Sequence, residues 1–272
     1  QPMAHRTRAA KARAAAAAEA TCHLLDLSHD EQSIVTHELC DPLRPLLAVH
    51  LSSTAKGLWV PMQEQLAELR QRHAEAAAMA AAWGMSCAAL ADATELLLGG
   101  HFSKPLTLAH WRTLGMLVGC GSLPRLAYLV FRGYDNGDEG VVSLADGLRR
   151  GRLPSLRFLG LYDTQIGPQG ATTLASALTK RALPSLNGLN LGANPLGDAG
   201  LAALLPALRR LPPLERLSIR RTNIGDEGVA SLVAQPTAGA LKSLEGLYLD
   251  DNQITDAGCA TLASSLRGGA LP

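Results

Sequence analysis

The chain has 272 residues, 47% of them hydrophobic, and its 25 Lys and Arg nearly balance 24 Asp and Glu. That is enough apolar material for one or two packed cores. The near-neutral balance excludes bulk electrostatic capture of nucleic acid, which needs an excess of cations on phosphates. No apolar run approaches the roughly 18 to 20 residues of a membrane span. Cys22, Cys40, Cys87, Cys120 and Cys259 are scattered, without a C-x-x-C pair, and suit reduced thiols inside a cell, cytoplasmic or nuclear, better than a disulfide framework.

Residues 1–20 are Ala-rich and carry Arg6, Arg8, Lys11 and Arg13 ahead of the first acid, Glu19. They read as a solvated helix or tail, with an import leader as the alternative that leaves organellar delivery open. Residues 21–86 read as helical: Leu24–Leu39 stops before Asp41-Pro42, Leu46–Leu58 follows, and Met62–Trp83 is a long third helix. Pro61 suits its first turn and Gly84 its end. Along it Met62, Leu66, Leu69, His73, Ala76, Ala80 and Trp83 form one narrow apolar stripe, which fits packing within the chain better than a coiled-coil seam.

From residue 87 onward the chain repeats. Leu-x-x-Leu begins at 123, 153, 183, 211 and 241, giving spacings of 30, 30, 28 and 30 residues. A degenerate unit spans 90–122, with Leu90, Leu96 and Leu98 in the strand frame and Leu106–Val118 as its helix. In the clearest unit Leu183, Leu186, Leu189, Leu191, Asn194, Leu196 and Gly200 set the frame. Alternation of Leu189 and Leu191 buries one face of a short strand. Thr164, Asn194, Thr222 and Asn252 then mark a turn where short polar side chains bond backbone groups. The first full unit departs from this, with Tyr134 at the turn position and Asn136 two residues later. Helices with apolar pairs such as Leu144 and Leu148, or Leu204 and Leu208, close each unit. Asp138, Asp198, Asp226 and Asp256 lie where helices begin, so capping of free N–H groups accounts for them better than metal binding.

This frame resembles the leucine-rich repeats of the ribonuclease-inhibitor and Ran-GTPase-activator class. The resemblance implies an α/β solenoid over residues 87–272, with parallel strands on a concave face, helices on the convex face, and the helical region 21–86 ahead of it. One repeat cannot bury its apolar face alone, so stacking stabilises the whole and the end units need caps. The chain opens on Gln1 and closes on Leu271-Pro272, which begins another unit of the frame, so it reads as a fragment with an uncapped C-terminal end.

The stretch Leu27-Ser28-His29-Asp30-Glu31, Ile34, Leu39, Asp41-Pro42, Leu46–Val49 and Ser52–Trp59 is similar to an F-box. That family docks on the Skp1 adaptor of a ubiquitin ligase and is often followed by leucine-rich repeats. The resemblance implies adaptor docking through residues 21–60; a helical cap on the first strand is the alternative.

Chemistry is not apparent. Cys22 with His23, and His37 with Cys40, lack the paired spacing of a zinc site. Gly133–Gly140 lacks the Lys and Ser/Thr of a phosphate cradle, and no nucleophile stands in a recognisable elbow. The expectation is a non-catalytic protein-binding module with no cofactor, metal, nucleic acid or membrane partner, serving as the substrate-recognition arm of an F-box-type ligase. The alternatives are a GTPase activator that presents an arginine finger and a structural or receptor-type scaffold. Residues between the core leucines point into the concavity. The candidate binding residues among them are Tyr128, Phe158, Tyr162, Asn190, Gly192, Arg216, Arg220 and Tyr248. Phe158 and Tyr162 should form one wall, Arg216 and Arg220 the other, with Gly188, Asn190 and Gly192 as a low polar floor. Asp250 beside Arg220 and Asp251 beside Arg221 could neutralise the arginine wall through lateral ion pairs.

Overall fold

Six leucines set the sheet. Leu96, Leu129, Leu159, Leu189, Leu217 and Leu247 stand in register across six parallel strands: β1 (Glu95–Gly99), β2 (Tyr128–Arg132), β3 (Phe158–Tyr162), β4 (Gly188–Asn190), β5 (Arg216–Ser218) and β6 (Gly246–Tyr248). The strands follow one another in chain order. The register matches the repeat frame residue for residue, so each unit lays its strand beside the one before. This computed structural model describes residues 41–45, 63–99, 106–134, 137–150, 153–234 and 243–268. The chain divides into two units, residues 1–75 and 76–272, and the division falls inside helix α1 (Gln63–Ala82).

In the first unit Asp41 closes a turn: its side chain accepts from the Leu43 N–H at 2.9 Å, and its carbonyl accepts from the Arg44 N–H at 3.0 Å. The Pro42 carbonyl lies 2.6 Å from Nδ1 of His73. The other helices expected before Met62, and all but residues 41–45 of the F-box-like stretch, lie outside the described residues.

The second unit opens on the end of α1. Gly84 has φ +67°, its N–H meets the Ala81 carbonyl, and the Met85 N–H reaches back to Ala80 at 2.8 Å. That pair of hydrogen bonds is a Schellman ending, and the helix ends at the glycine as expected. A short helix α2 (Cys87–Ala91) follows, and the degenerate unit supplies β1 and α3 (Leu108–Cys120). Helices α4 (Gly137–Arg149), α5 (Pro168–Ala177), α6 (Gly197–Leu208), α7 (Asp226–Val233) and α8 (Asp256–Arg267) complete the later units. The sheet and helices together form the α/β leucine-rich-repeat solenoid.

The core lies between sheet and helices. Leu98, Phe131, Leu161, Leu191 and Ile219 form a second buried ladder beside the leucines, and Leu144, Leu174, Leu204 and Leu232 face them from the helices. Trp111 stacks on Phe131 with ring centroids 4.1 Å apart, so the first units use aromatic bulk where the later ones use leucine. Burial fades toward the last unit. Leu244, Leu247, Leu249 and Leu262 are only half-buried, Leu266 is exposed, and they line a groove of about 240 Å³ between β6 and α8.

The turns after β2, β3, β4, β5 and β6 are left-handed. Gly133, Asp163, Ala193, Arg221 and Asp251 occupy equivalent positions, all with φ between 55° and 71°. Through these turns the backbone ladder continues, with Ala193 N–H to Arg220 O at 2.8 Å and Arg221 N–H to Asp250 O at 3.0 Å. In the first full unit Tyr134 takes the turn's polar position. Its N–H donates to the Asp163 carbonyl at 2.9 Å, and partial burial pushes its phenol above the ordinary tyrosine pKa. Asn136 lies outside the described residues.

The polar residue after the turn reaches farther than the neighbouring backbone. Oδ1 of buried Asn194 accepts from the N–H groups of Thr164 and Ile166 at 3.1 and 3.0 Å, in the preceding unit. Its Nδ2 donates to Leu161 O at 2.6 Å and Leu191 O at 2.8 Å. Asn252 repeats the arrangement against Thr222, Ile224 and Ile219. Threonine and asparagine therefore alternate as receiver and bridge.

The recurring acids act across units as well, which corrects the expectation that each caps its own helix. Asp138 accepts from the Gly167 N–H at 2.9 Å, Asp198 from the Gly225 N–H at 2.7 Å, and Asp226 from the Thr255 N–H at 2.9 Å. Each of these N–H groups belongs to the residue that starts the next unit's helix. The carboxylate lies so close to the glycine three residues on that a Cβ at Gly170, Gly228 or Gly258 would overlap it. Pro168 replaces the acid in one unit, and the following helix α6 starts without a side-chain cap.

Candidate functional site

The helices cover one face of the sheet; the other is open. On the open face the residues between the core leucines form a trough of about 540 Å³ around β3, β4 and β5. Phe158, Tyr162, Asn190, Arg216, Arg220 and Tyr248, all expected from the frame, line it. Val130, Arg132 and Ser218 join them from the same alternation, and Leu189 also lines the trough. Arg132 matters most among these three. Its guanidinium lies over the Tyr162 ring, 5.1 Å from the centroid, and its position in the frame is the one that Tyr162 and Arg220 also occupy.

Two expected residues stand elsewhere. Tyr128 is exposed beside the trough, its ring 6.3 Å from that of Phe158. Gly192 is buried and does not reach the trough surface. A Cβ there would sit 2.9 Å from Arg220 Cγ, and 3.1 Å from both Asn190 Oδ1 and Tyr162 Cδ2. Gly188 is covered in the same way, because the Phe158 ring lies 2.5 Å from where its Cβ would be. The low floor foreseen from the glycines is therefore roofed. The glycines give the space into which Phe158, Tyr162 and Arg220 lie down, and a bulky residue at Gly192 would have to displace the Arg220, Asn190 and Tyr162 side chains before filling anything.

The Asn190 side chain is turned toward its own strand end, where Oδ1 accepts from the Gly192 N–H at 2.9 Å. The far wall carries the lateral ion pair anticipated in the sequence: Arg220 meets Asp250 at 3.0 Å, both partly exposed. Arg221 and Asp251 form no such pair among the described residues, since both sit in left-handed turns. Arg216 makes no hydrogen bond or ion pair among the described residues. In register it lies between Gly188 and Gly246, so its paired positions on β4 and β6 carry no side chain. Tyr248 folds back over Gly246, its Cε2 3.1 Å from where a Cβ would be.

Three aromatic rings and three guanidiniums surround a depression, and none of the described His, Cys, Asp or Glu residues gather in a group of three that could hold a metal ion.

The repeat frame, the parallel register and the helix after every strand now stand together, and a family model for leucine-rich repeats matches residues 182–205, 210–233 and 240–263. The chain carries leucine-rich repeats. A solved structure of the leiomodin-1 actin-binding site 2 is similar over 61% of this chain and 90% of that one, at 17% identity and a TM-score of 0.42. Among curated proteins no sequence matches. Among the described residues, no helix is long and apolar enough to cross a membrane.

Proposed function

We propose that this chain is a non-catalytic protein-binding module of the ribonuclease-inhibitor-like repeat class, whose concave sheet holds the partner. The observation that carries this reading is the open trough itself. Aromatic and arginine side chains around a depression are the composition that binding hot spots favour, and a rigid solenoid presents them with little ordering cost. An intracellular setting, cytoplasmic or nuclear, accompanies the reading and is supported by free thiols at Cys87 and Cys259.

The test compares proteins captured from a cell extract by the wild-type chain, by a Phe158→Ser/Tyr162→Ser double variant, and by Val142→Glu on the exposed helical side. Partners lost with the double variant and kept with Val142→Glu support the reading. Capture that is indifferent to the trough, in variants that melt like the wild type, contradicts it.

A role in a ubiquitin ligase, with residues 21–60 docking on a Skp1-like adaptor, is the finer form of this proposal. It is supported by the F-box-like residues of that stretch. Purified Skp1 should be retained by the whole chain and lost on removing residues 21–60; no retention by the intact chain removes the ligase role and leaves the binding module.

A further inference from the structure

We infer that the trough takes an acidic segment of a partner protein, with one Asp or Glu carboxylate on Arg216 and an adjacent apolar side chain against Phe158. The inference rests on the open face being the recognition surface and names the chemistry it selects. Of the three guanidiniums in the trough, Arg132 is stacked on Tyr162 and Arg220 is held by Asp250. Arg216 has neither kind of partner among the described residues, and its register neighbours Gly188 and Gly246 place no acid beside it. Aromatic rings cover those two positions: the Phe158 ring lies on Gly188 and the Tyr248 ring folds over Gly246.

A guanidinium without an acid beside it favours a planar carboxylate, which it can bind through two parallel N–H donors. The apolar flanks disfavour a bare hydrated anion and favour one attached to apolar surface, since burying Phe158 against a side chain adds hydrophobic free energy. Charge agrees with this. The trough lining holds three cations, and Asp250, the acid at its edge, is already paired with Arg220. A cavity of about 540 Å³ has room for a pair of side chains.

The test titrates the whole chain with N-acetyl-aspartyl-phenylalanine amide, with its asparaginyl analogue, with N-acetyl-aspartyl-glycine amide and with inorganic phosphate. Binding is followed by calorimetry or by the arginine Nε–H resonances. The aspartyl-phenylalanine peptide should bind about fivefold tighter than either peptide control at low salt, and the advantage over the asparaginyl peptide should shrink as salt screens the pair. Arg216→Gln should bring the acidic peptide to the level of the neutral one, while Arg216→Lys should keep part of the preference. Both variants should melt like the wild type, because Arg216 makes no hydrogen bond or ion pair among the described residues.

Equal affinity for aspartyl and asparaginyl peptides, a preference that survives Arg216→Gln, no saturable binding of the acidic peptide, or phosphate binding as tightly as the peptide would each overturn the inference. Those outcomes, alongside trough-dependent capture from extract, would remove the acidic occupant and leave the binding module standing.

Discussion

Asn194 shows how a single polar side chain holds two repeats in phase. It is buried, and its amide bonds backbone groups on both sides of the β3–β4 boundary. Removing it strands buried donors and acceptors whose desolvation then goes uncompensated. Asn194→Ala should therefore cost about 3 kcal/mol of unfolding free energy in urea titrations; a loss under about 1 kcal/mol would show that the bridge matters little. Its neighbour Ala193 has the opposite character. It holds φ +56°, where an L side chain pays roughly 1 kcal/mol that glycine does not. Ala193→Gly should raise the urea midpoint, and an unchanged or lowered midpoint would show that the turn is unstrained. The sequence marked Asn194 as a turn residue that bonds nearby backbone. Its reach into the preceding unit was not legible, because residues 28 to 33 positions apart become neighbours only when the strands stack.

At the scale of the element, the relation between successive helices is set by the acids. Asp226 accepts from both the hydroxyl and the N–H of Thr255, and these bonds hold its carboxyl below the ordinary aspartate pKa. A folded-state pKa depressed below the unfolded one contributes stability above the unfolded value, about 3.9, and that contribution is lost as pH falls through the folded value. The melting-temperature gap between wild type and Asp226→Asn should therefore be full near about pH 6 and close below about pH 4. A gap that stays constant with pH would place the stabilisation elsewhere. The spacing of these acids revealed that they cap, since they fall where helices begin. Which helix they cap depends on how one unit leans on the next, a property of the stacked solenoid that a single repeat's sequence does not carry. Helix packing held a similar surprise: Gly115 of α3 and Gly147 of α4 approach so closely that a Cβ at Gly147 would overlap the Gly115 carbonyl. Neither glycine stood out in the repeat frame.

For the whole molecule, strand order and register followed directly from the frame, because identical units can stack in one way that keeps Leu189 and its equivalents in the core. The trough was legible in outline for the same reason: alternation sends Phe158, Tyr162, Arg216, Arg220 and Tyr248 to the open face. Its relief was not. Whether a ring stands up or lies down depends on the space beside it, and glycine at 188 and 192 turned an expected floor into a bed for Phe158, Tyr162 and Arg220. The helical region before the repeats has no internal copy against which to align a frame; of the three helices expected there only α1 lies among the described residues, and its bounds follow its long stripe and its Gly84 ending.

The measurement that bears most directly on the recognition surface is hydroxyl-radical footprinting of the chain, free and bound to a partner recovered by trough-dependent capture. Phe158, Tyr162 and Tyr248 should lose reactivity on binding while exposed Val142 and Leu266 keep theirs. Unchanged reactivity at the three aromatic residues, with protection at the helical side or among residues 63–82 instead, would contradict it.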